Sequence, residues 1–156
     1  GPQRRVPTDP DRTPPHPPIG GRLRYFLGRW EATTTDRWVR DTIRLGLQLE
    51  WNSSPPNVFR ICPVSRDRAR RQLMQTAIDH LLEIKAIQPV PADQRGRGFY
   101  SMLFVLPKPS GGWRAILDLK KLNQFIVYKR FKMHTLQSIL ISIRHGDFLS
   151  SIDLTE

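Results

Sequence analysis

Proline placement constrains this chain more than any other feature. Seven of its 14 prolines lie in the first eighteen residues, at Pro2, Pro7, Pro10, Pro14, Pro15, Pro17 and Pro18. Each lacks an amide donor and holds φ near about −65°, so "GPQRRVPTDPDRTPPHPPIGG" can neither nucleate a helix nor donate to a ladder. Residues 1–20 are therefore expected as an extended, disordered linker. They contain Arg12-x-x-Pro15-x-x-Pro18, a spacing that suits an SH3-type groove reading a polyproline II helix, although plain linker composition accounts for it better. Further on, prolines act as punctuation: Pro55 and Pro56 form a spacer, and "QPVP" stops a helix.

The texture changes at Arg22. In "RLRYFLGRWEATTTDRWVRDTIRLGLQLEW", Leu27, Trp30, Trp38, Val39, Ile43, Leu45 and Leu47 supply apolar mass. Thr35 or Asp36 can cap a short helix over "RWVRDTIRLG", which Gly46 would end before a strand. Residues 21–64 are read as an N-terminal extension. The clearest helix follows in "SRDRARRQLMQTAIDHLLEIKAI", Ser65 to Ile87. Met74, Ala77, Ile78, Leu81 and Leu82 recur at three- and four-residue steps, with Arg66, Arg70, Gln75, Asp79 and Lys85 opposite. Ser65 is the expected cap. Arg66, Arg68, Arg70 and Arg71 crowd the first two turns with only Asp67 to oppose them, which is unfavourable beside the positive end of the helix dipole. Such crowding suits either a nearby anion or a solvated basic face.

Charge bears on partners. The chain has 25 Lys+Arg against 14 Asp+Glu, a formal net charge of +11, and neutralising phosphates with such an excess releases counterions. Nucleic acid is the first partner this suggests, although a solvated basic surface carries the same excess. Cys62 is the single cysteine, so no intrachain disulfide framework forms, and an intracellular setting, in cytoplasm or nucleus, fits best. His16, His80, His134 and His145 are too scattered for a zinc site. No apolar run approaches the ~18 residues of a membrane span, and the amino terminus lacks the apolar stretch of a signal peptide. The chain starts at Gly1-Pro2 without methionine, which reads as a protease-cleavage scar or the cut edge of a longer protein.

The most informative stretch is "GFYSMLFVLPKPSGGWRAILDLKKLN", Gly98 to Asn123. Two runs rich in β-formers, "SMLFVLPK" and "WRAILDLK", flank the turn residues "PSGG", so the stretch is expected as a β-hairpin. Lys108 enters the turn and Arg114 leaves it. A compact ammonium beside a planar guanidinium suits a triphosphate, while on an exposed edge the same two residues keep a hairpin soluble.

With "FKMHTLQSI" and "GDFLSSIDLTE" after it, this stretch resembles the fingers and early palm of a reverse transcriptase, most of all those of DIRS-type retrotransposons. The resemblance spans about Ile87 to Glu156, and the "GRL…F…W…T.D.WV…I..G" pattern upstream resembles the segment preceding the polymerase in those elements. It implies an α+β fold, the fingers and incomplete palm of a right-hand polymerase over 65–156, preceded by a short helical extension and the proline-rich tail. The parent would be an RNA-directed DNA polymerase. Its partners would be an RNA template, a DNA primer and deoxynucleotide triphosphates, with no membrane. Lys108 and Arg114 would contact the incoming triphosphate, with Trp113 packing the hairpin beside them. Asp118, Leu122 and Asn123 match the "D..LN" signature that builds the nucleotide pocket and the hairpin's base, and Phe131, Lys132 and Met133 lead into a helix capped by Thr135. Arg66, Arg70, Lys120 and Lys121 are the basic candidates for nucleic-acid contact.

The resemblance also assigns Asp153, at the tip of an expected buried strand in "SSIDLTE", as the first catalytic aspartate of a "DL..AY" motif. Leu154 would lend its backbone carbonyl to the same metal, and Glu156 stands where many relatives carry aspartate. Nucleotidyl transfer uses two Mg²⁺ ions held by hard oxygen ligands, and one aspartate cannot hold that pair. The chain has no Asp-Asp dipeptide, so the 156 residues alone are expected to be inactive. Met102 stands where relatives often carry proline, and the "PSGG" tip replaces a lysine-rich turn, the second of which weakens template contact by the tip itself. A non-catalytic, basic nucleic-acid-binding or interaction module derived from a retroelement is the alternative that the same residues allow.

Overall fold

The computed structural model of the protein describes residues 15–153. Among them are four α-helices, α1 (Leu27–Thr33), α2 (Arg37–Leu45), α3 (Arg68–Glu83) and α4 (Leu136–Ser142), and two strands, β1 (Met102–Pro107) and β2 (Trp113–Asp118). The strands form one antiparallel hairpin. No helix among the described residues is long and apolar enough to cross a membrane.

Helices α1 and α2 form a tight helical pair after a 3₁₀ turn over Arg22–Phe26. Asp36 caps α2 by accepting from the Val39 amide at 3.1 Å, and α2 ends at Gly46, both at positions the sequence marks. Arg40 holds the pair together. Its guanidinium donates to the Thr34 carbonyl at 2.7 Å and the Glu31 carbonyl at 2.5 Å, satisfying acceptors that the end of α1 leaves open. Arg44 adds an ion pair to Glu31. The strand expected after α2 shrinks to one bridge, Trp51 with Ile126.

Helix α3 is shorter than the apolar periodicity suggests. Asp67, not Ser65, is the cap, accepting from the Ala69 amide at 3.0 Å, while the Ser65 hydroxyl accepts from the Asp67 amide at 3.2 Å and shapes the preceding turn. At the other end Lys85 takes a left-handed φ of 61°. Its amide reaches the Leu82 carbonyl at 3.1 Å and the Ala86 amide reaches the Leu81 carbonyl at 3.0 Å, which is a Schellman stop reached before the prolines.

Residues on either side of position 64 are joined by backbone bonds. Val58 donates to the Gly98 carbonyl at 2.9 Å and accepts from the Tyr100 amide at 2.9 Å. Asn52 donates to Phe125 and Val127 donates to Glu50, each at 2.8 Å. Lys129 and Glu50 pair at 2.5 Å. The proline-rich segment is described only from Pro15, and that part is tied down: Arg22 donates to the carbonyls of Pro17 (2.9 Å) and Pro18 (3.3 Å), and the Gly20 amide to Ile84 (2.8 Å). Its first fourteen residues, with Arg12, lie outside the described ones.

Helix α3 contacts both strands of the hairpin, and this is where apolar surface is best covered. Yet no side chain among the described residues is fully buried. The modest core that 38% hydrophobic content would permit does not close, because a two-stranded sheet backed by one helix offers too little area to cover both. The contrast is sharpest at the end. Ser150–Asp153 has no regular structure and Ile152 is 89% exposed, so the expected buried strand does not form. A strand needs a neighbour for its amides and carbonyls, and none of the described segments runs beside it.

Candidate functional site

The hairpin is built as its residues dictate. Its register runs from Met102 opposite Asp118 to Pro107 opposite Trp113. One more rung follows, the Lys108 amide donating to the Gly112 carbonyl at 2.9 Å, and the Gly111 amide closes the turn onto the Lys108 carbonyl at 3.0 Å. Gly111 and Gly112 have φ of 92° and 80°, conformations that side chains with a Cβ adopt only at a cost.

Register decides how Lys108 and Arg114 relate. Arg114 pairs with Leu106, and Lys108 is two residues along from Leu106, so the two cations lie diagonally on one face of the hairpin. Diagonal neighbours of that kind stand about 7–8 Å apart, within reach of two long side chains. Neither has an acidic partner among the described residues, and both are exposed. Two unpaired cations at that spacing can close on an anion with several oxygens.

The other expected nucleotide residues sit elsewhere. Asp118 is at the base of the hairpin, four residues of strand from Arg114 or about 13 Å. Its carboxylate accepts from the Lys120 amide at 3.0 Å, turning the chain toward a 3₁₀ segment, Leu122–Phe125. Asn123 lies in that segment, where its amide donates to the Leu119 carbonyl at 2.8 Å and its carbonyl accepts from Ile126 at 3.2 Å. Asp118 and Asn123 therefore shape the hairpin's base and do not join Lys108 and Arg114 in one cluster.

Lys120 and Lys121 are exposed beyond β2. Arg66 precedes α3, and Arg70 lies in its first turn beside a groove of about 470 Å³, lined also by Met74 and Ile78 of α3 and by Met102 to Val105 of β1. The crowding of arginines is relieved locally. The Asp67 carboxylate is 3.9 Å from Arg70, and Arg71 donates to the carbonyls of Ser65 (3.1 Å) and Arg66 (3.2 Å). Arg66 and Arg68 have no acidic partner among the described residues.

Asp153 is exposed in the irregular end, and Leu154 and Glu156 lie outside the described residues. Among the described residues, no three His, Cys, Asp or Glu side chains converge at metal-binding distance. One carboxylate without a second does not fit a pair of magnesium ions, so no catalytic step through magnesium is assigned to these residues.

Cys62 has a role that its isolation in sequence conceals. Its sulfur accepts from the Leu103 amide at 3.3 Å, across 41 residues. Val58 and Phe99, bridged in parallel, keep the same offset, so residues 57–62 run alongside 98–103 and Cys62 takes up an edge amide of β1. The β-rich run "NVFRIC" after Pro55-Pro56 is the one hint of this in the sequence.

No protein-family model, no curated protein and no solved structure matches the chain.

Proposed function

We propose that the chain is the N-terminal part of the RNA-directed DNA polymerase of a DIRS-type retroelement, comprising the extension, the fingers and the first palm motif. The observation that carries this reading is the diagonal placement of Lys108 and Arg114 on one face of a glycine-tipped hairpin, inside a series of reverse-transcriptase-like motifs in their proper order. In this reading Lys108 and Arg114 neutralise the triphosphate of an incoming deoxynucleotide. Asp118 and Asn123 hold the base of the hairpin, and Arg66, Arg70, Lys120 and Lys121 meet template or primer phosphates. Asp153, with the Leu154 carbonyl, is one side of a magnesium site whose other ligands are an aspartate pair expected later in the same protein.

The test follows the open reading frame past Glu156. It should complete "DLTE" with Ala-Tyr and reach an Asp-Asp pair on a later hairpin, and the protein it encodes should extend a DNA primer on an RNA template. Asp153→Asn should abolish extension, and Lys108→Ala with Arg114→Ala should raise the nucleotide KM. If the frame lacks the aspartate pair while the 156-residue protein still binds nucleic acid with a steep salt dependence, the chain is a non-catalytic binding module instead.

A further inference from the structure

We infer that Phe59 and Tyr100 form a stacking platform for single-stranded nucleic acid, at a surface separate from the Lys108–Arg114 hairpin tip. The two rings meet edge to face, with centroids 5.0 Å apart and planes at 76°. Phe59 remains 58% exposed, so most of one ring is open to solvent. Tyr100 is held from behind. Its amide donates to the Val58 carbonyl at 2.9 Å, and its hydroxyl accepts from the Gly96 amide at 3.0 Å.

That last bond determines the charge around the rings. Gly96 lies between Arg95 and Arg97, so the loop that ties down the Tyr100 hydroxyl carries an arginine on either side of that contact, while Arg60, next to Phe59 in an extended run, belongs to the opposite face. All three arginines are exposed, and none has an acidic partner among the described residues. An open aromatic ring beside a loop that carries exposed arginines suits a base stacked over the ring with its phosphates held nearby, a mode that tolerates any base. A protein partner would call for a larger apolar surface without this concentration of like charge, so a polyanion with flat bases is the occupant that the charge selects.

This inference does not rest on the polymerase reading, because it needs neither nucleotide binding nor an aspartate pair. The test measures binding of the 156-residue protein to fluorescein-labelled single-stranded RNA and DNA, to an abasic oligonucleotide of equal length, and to heparin. Phe59→Ala should weaken binding to the base-bearing strands by between about five- and about a hundredfold, leave heparin and the abasic strand unaffected, and be rescued by Phe59→Trp. Arg95→Ala and Arg97→Ala should each flatten the slope of log affinity against log salt by about 0.7, and Arg60→Ala should flatten it less. Equal loss on heparin, or unchanged binding of Phe59→Ala to the base-bearing strands, overturns the platform. Circular dichroism spectra matching the parent protein confirm that the variants fold, and Tyr100→Phe, which keeps the ring and frees only the Gly96 loop, should retain the stacking difference while losing part of the salt slope.

Discussion

Gly20 packs against Lys85 so closely that no side chain fits between them. A Cβ on Gly20 would stand 2.2 Å from the Lys85 carbonyl oxygen and 2.6 Å from the Ala86 nitrogen, both of them backbone atoms that cannot swing aside. The Gly20 amide meanwhile donates to Ile84 at 2.8 Å. One contact thus seats the segment before α1 on the end of α3. Gly20→Ala should unseat it, and hydrogen exchange at the Gly20 amide would rise toward the rate of an unprotected chain. Protection equal to that of the parent would show that the contact does not hold in solution.

Lys85 is itself in a strained conformation, a non-glycine residue at φ 61° in the position where Schellman stops favour glycine. Lys85→Gly should relieve that strain and stabilise the end of α3 by about 0.5–1 kcal/mol, allowing for the entropy that glycine adds to the unfolded chain. A higher urea midpoint for the loss of helical signal is the expected readout. A lower midpoint would mean that the lysine side chain contributes more than its backbone costs.

Arg40 spans α1 and α2 through two carbonyls, those of Glu31 and Thr34. Arg40→Ala leaves both acceptors to water and should cost about 1–2 kcal/mol, at the lower end of the range for hydrogen bonds to a charged group. Arg40→Lys should recover less than half, because one ammonium cannot reproduce a fork bridging two acceptors. Amide exchange confined to α1 and α2 separates this effect from a global one.

The caps make a matched pair of predictions. Asp36 and Asp67 each accept a first-turn amide, at 3.1 and 3.0 Å. Asp36→Ala and Asp67→Ala should each lower helical ellipticity and cost about 1 kcal/mol. Ser65→Ala, at the residue that periodicity nominates as the cap of α3, should cost less than Asp67→Ala. The reverse ranking would place the helix start where the sequence pattern suggests it.

Nucleotide incorporation offers the most direct functional check. Given magnesium, deoxynucleotides and a primed RNA template, the 156-residue protein is expected to add no nucleotide, since no three metal-binding side chains converge among the described residues and the sequence has no Asp-Asp pair to join Asp153. Any templated extension by this protein would refute the assignment of Asp153 to an incomplete site.

Features governed by near neighbours are legible in the residues themselves. The two apolar runs around "PSGG" specify the hairpin, Asp36 and Gly46 bound α2, and Thr135 caps α4 by accepting from the Ser138 amide at 3.2 Å. Helix α3 is only partly legible. Its apolar repeat continues past the C-terminal end through Ile84, Ala86 and Ile87, and the true ends depend on which of two polar side chains reaches an amide first and on a left-handed Lys85 that no propensity favours.

What the sequence determines by itself is local: where helices and the hairpin lie, that Lys108 and Arg114 flank a tight turn, and that Asp153 stands without a neighbouring acidic pair. Tertiary structure alone decides the parallel run of residues 57–62 beside 98–103, the thiol of Cys62 on the Leu103 amide, the seating of Gly20 on α3, and the meeting of Phe59 with Tyr100. It also decides that Ser150–Asp153 forms no strand. The reason is range: a turn or a cap is settled within a few residues by sterics and short hydrogen bonds, whereas a ladder rung needs two segments some 41 residues apart brought side by side, and a strand without such a partner has nothing to hold it extended.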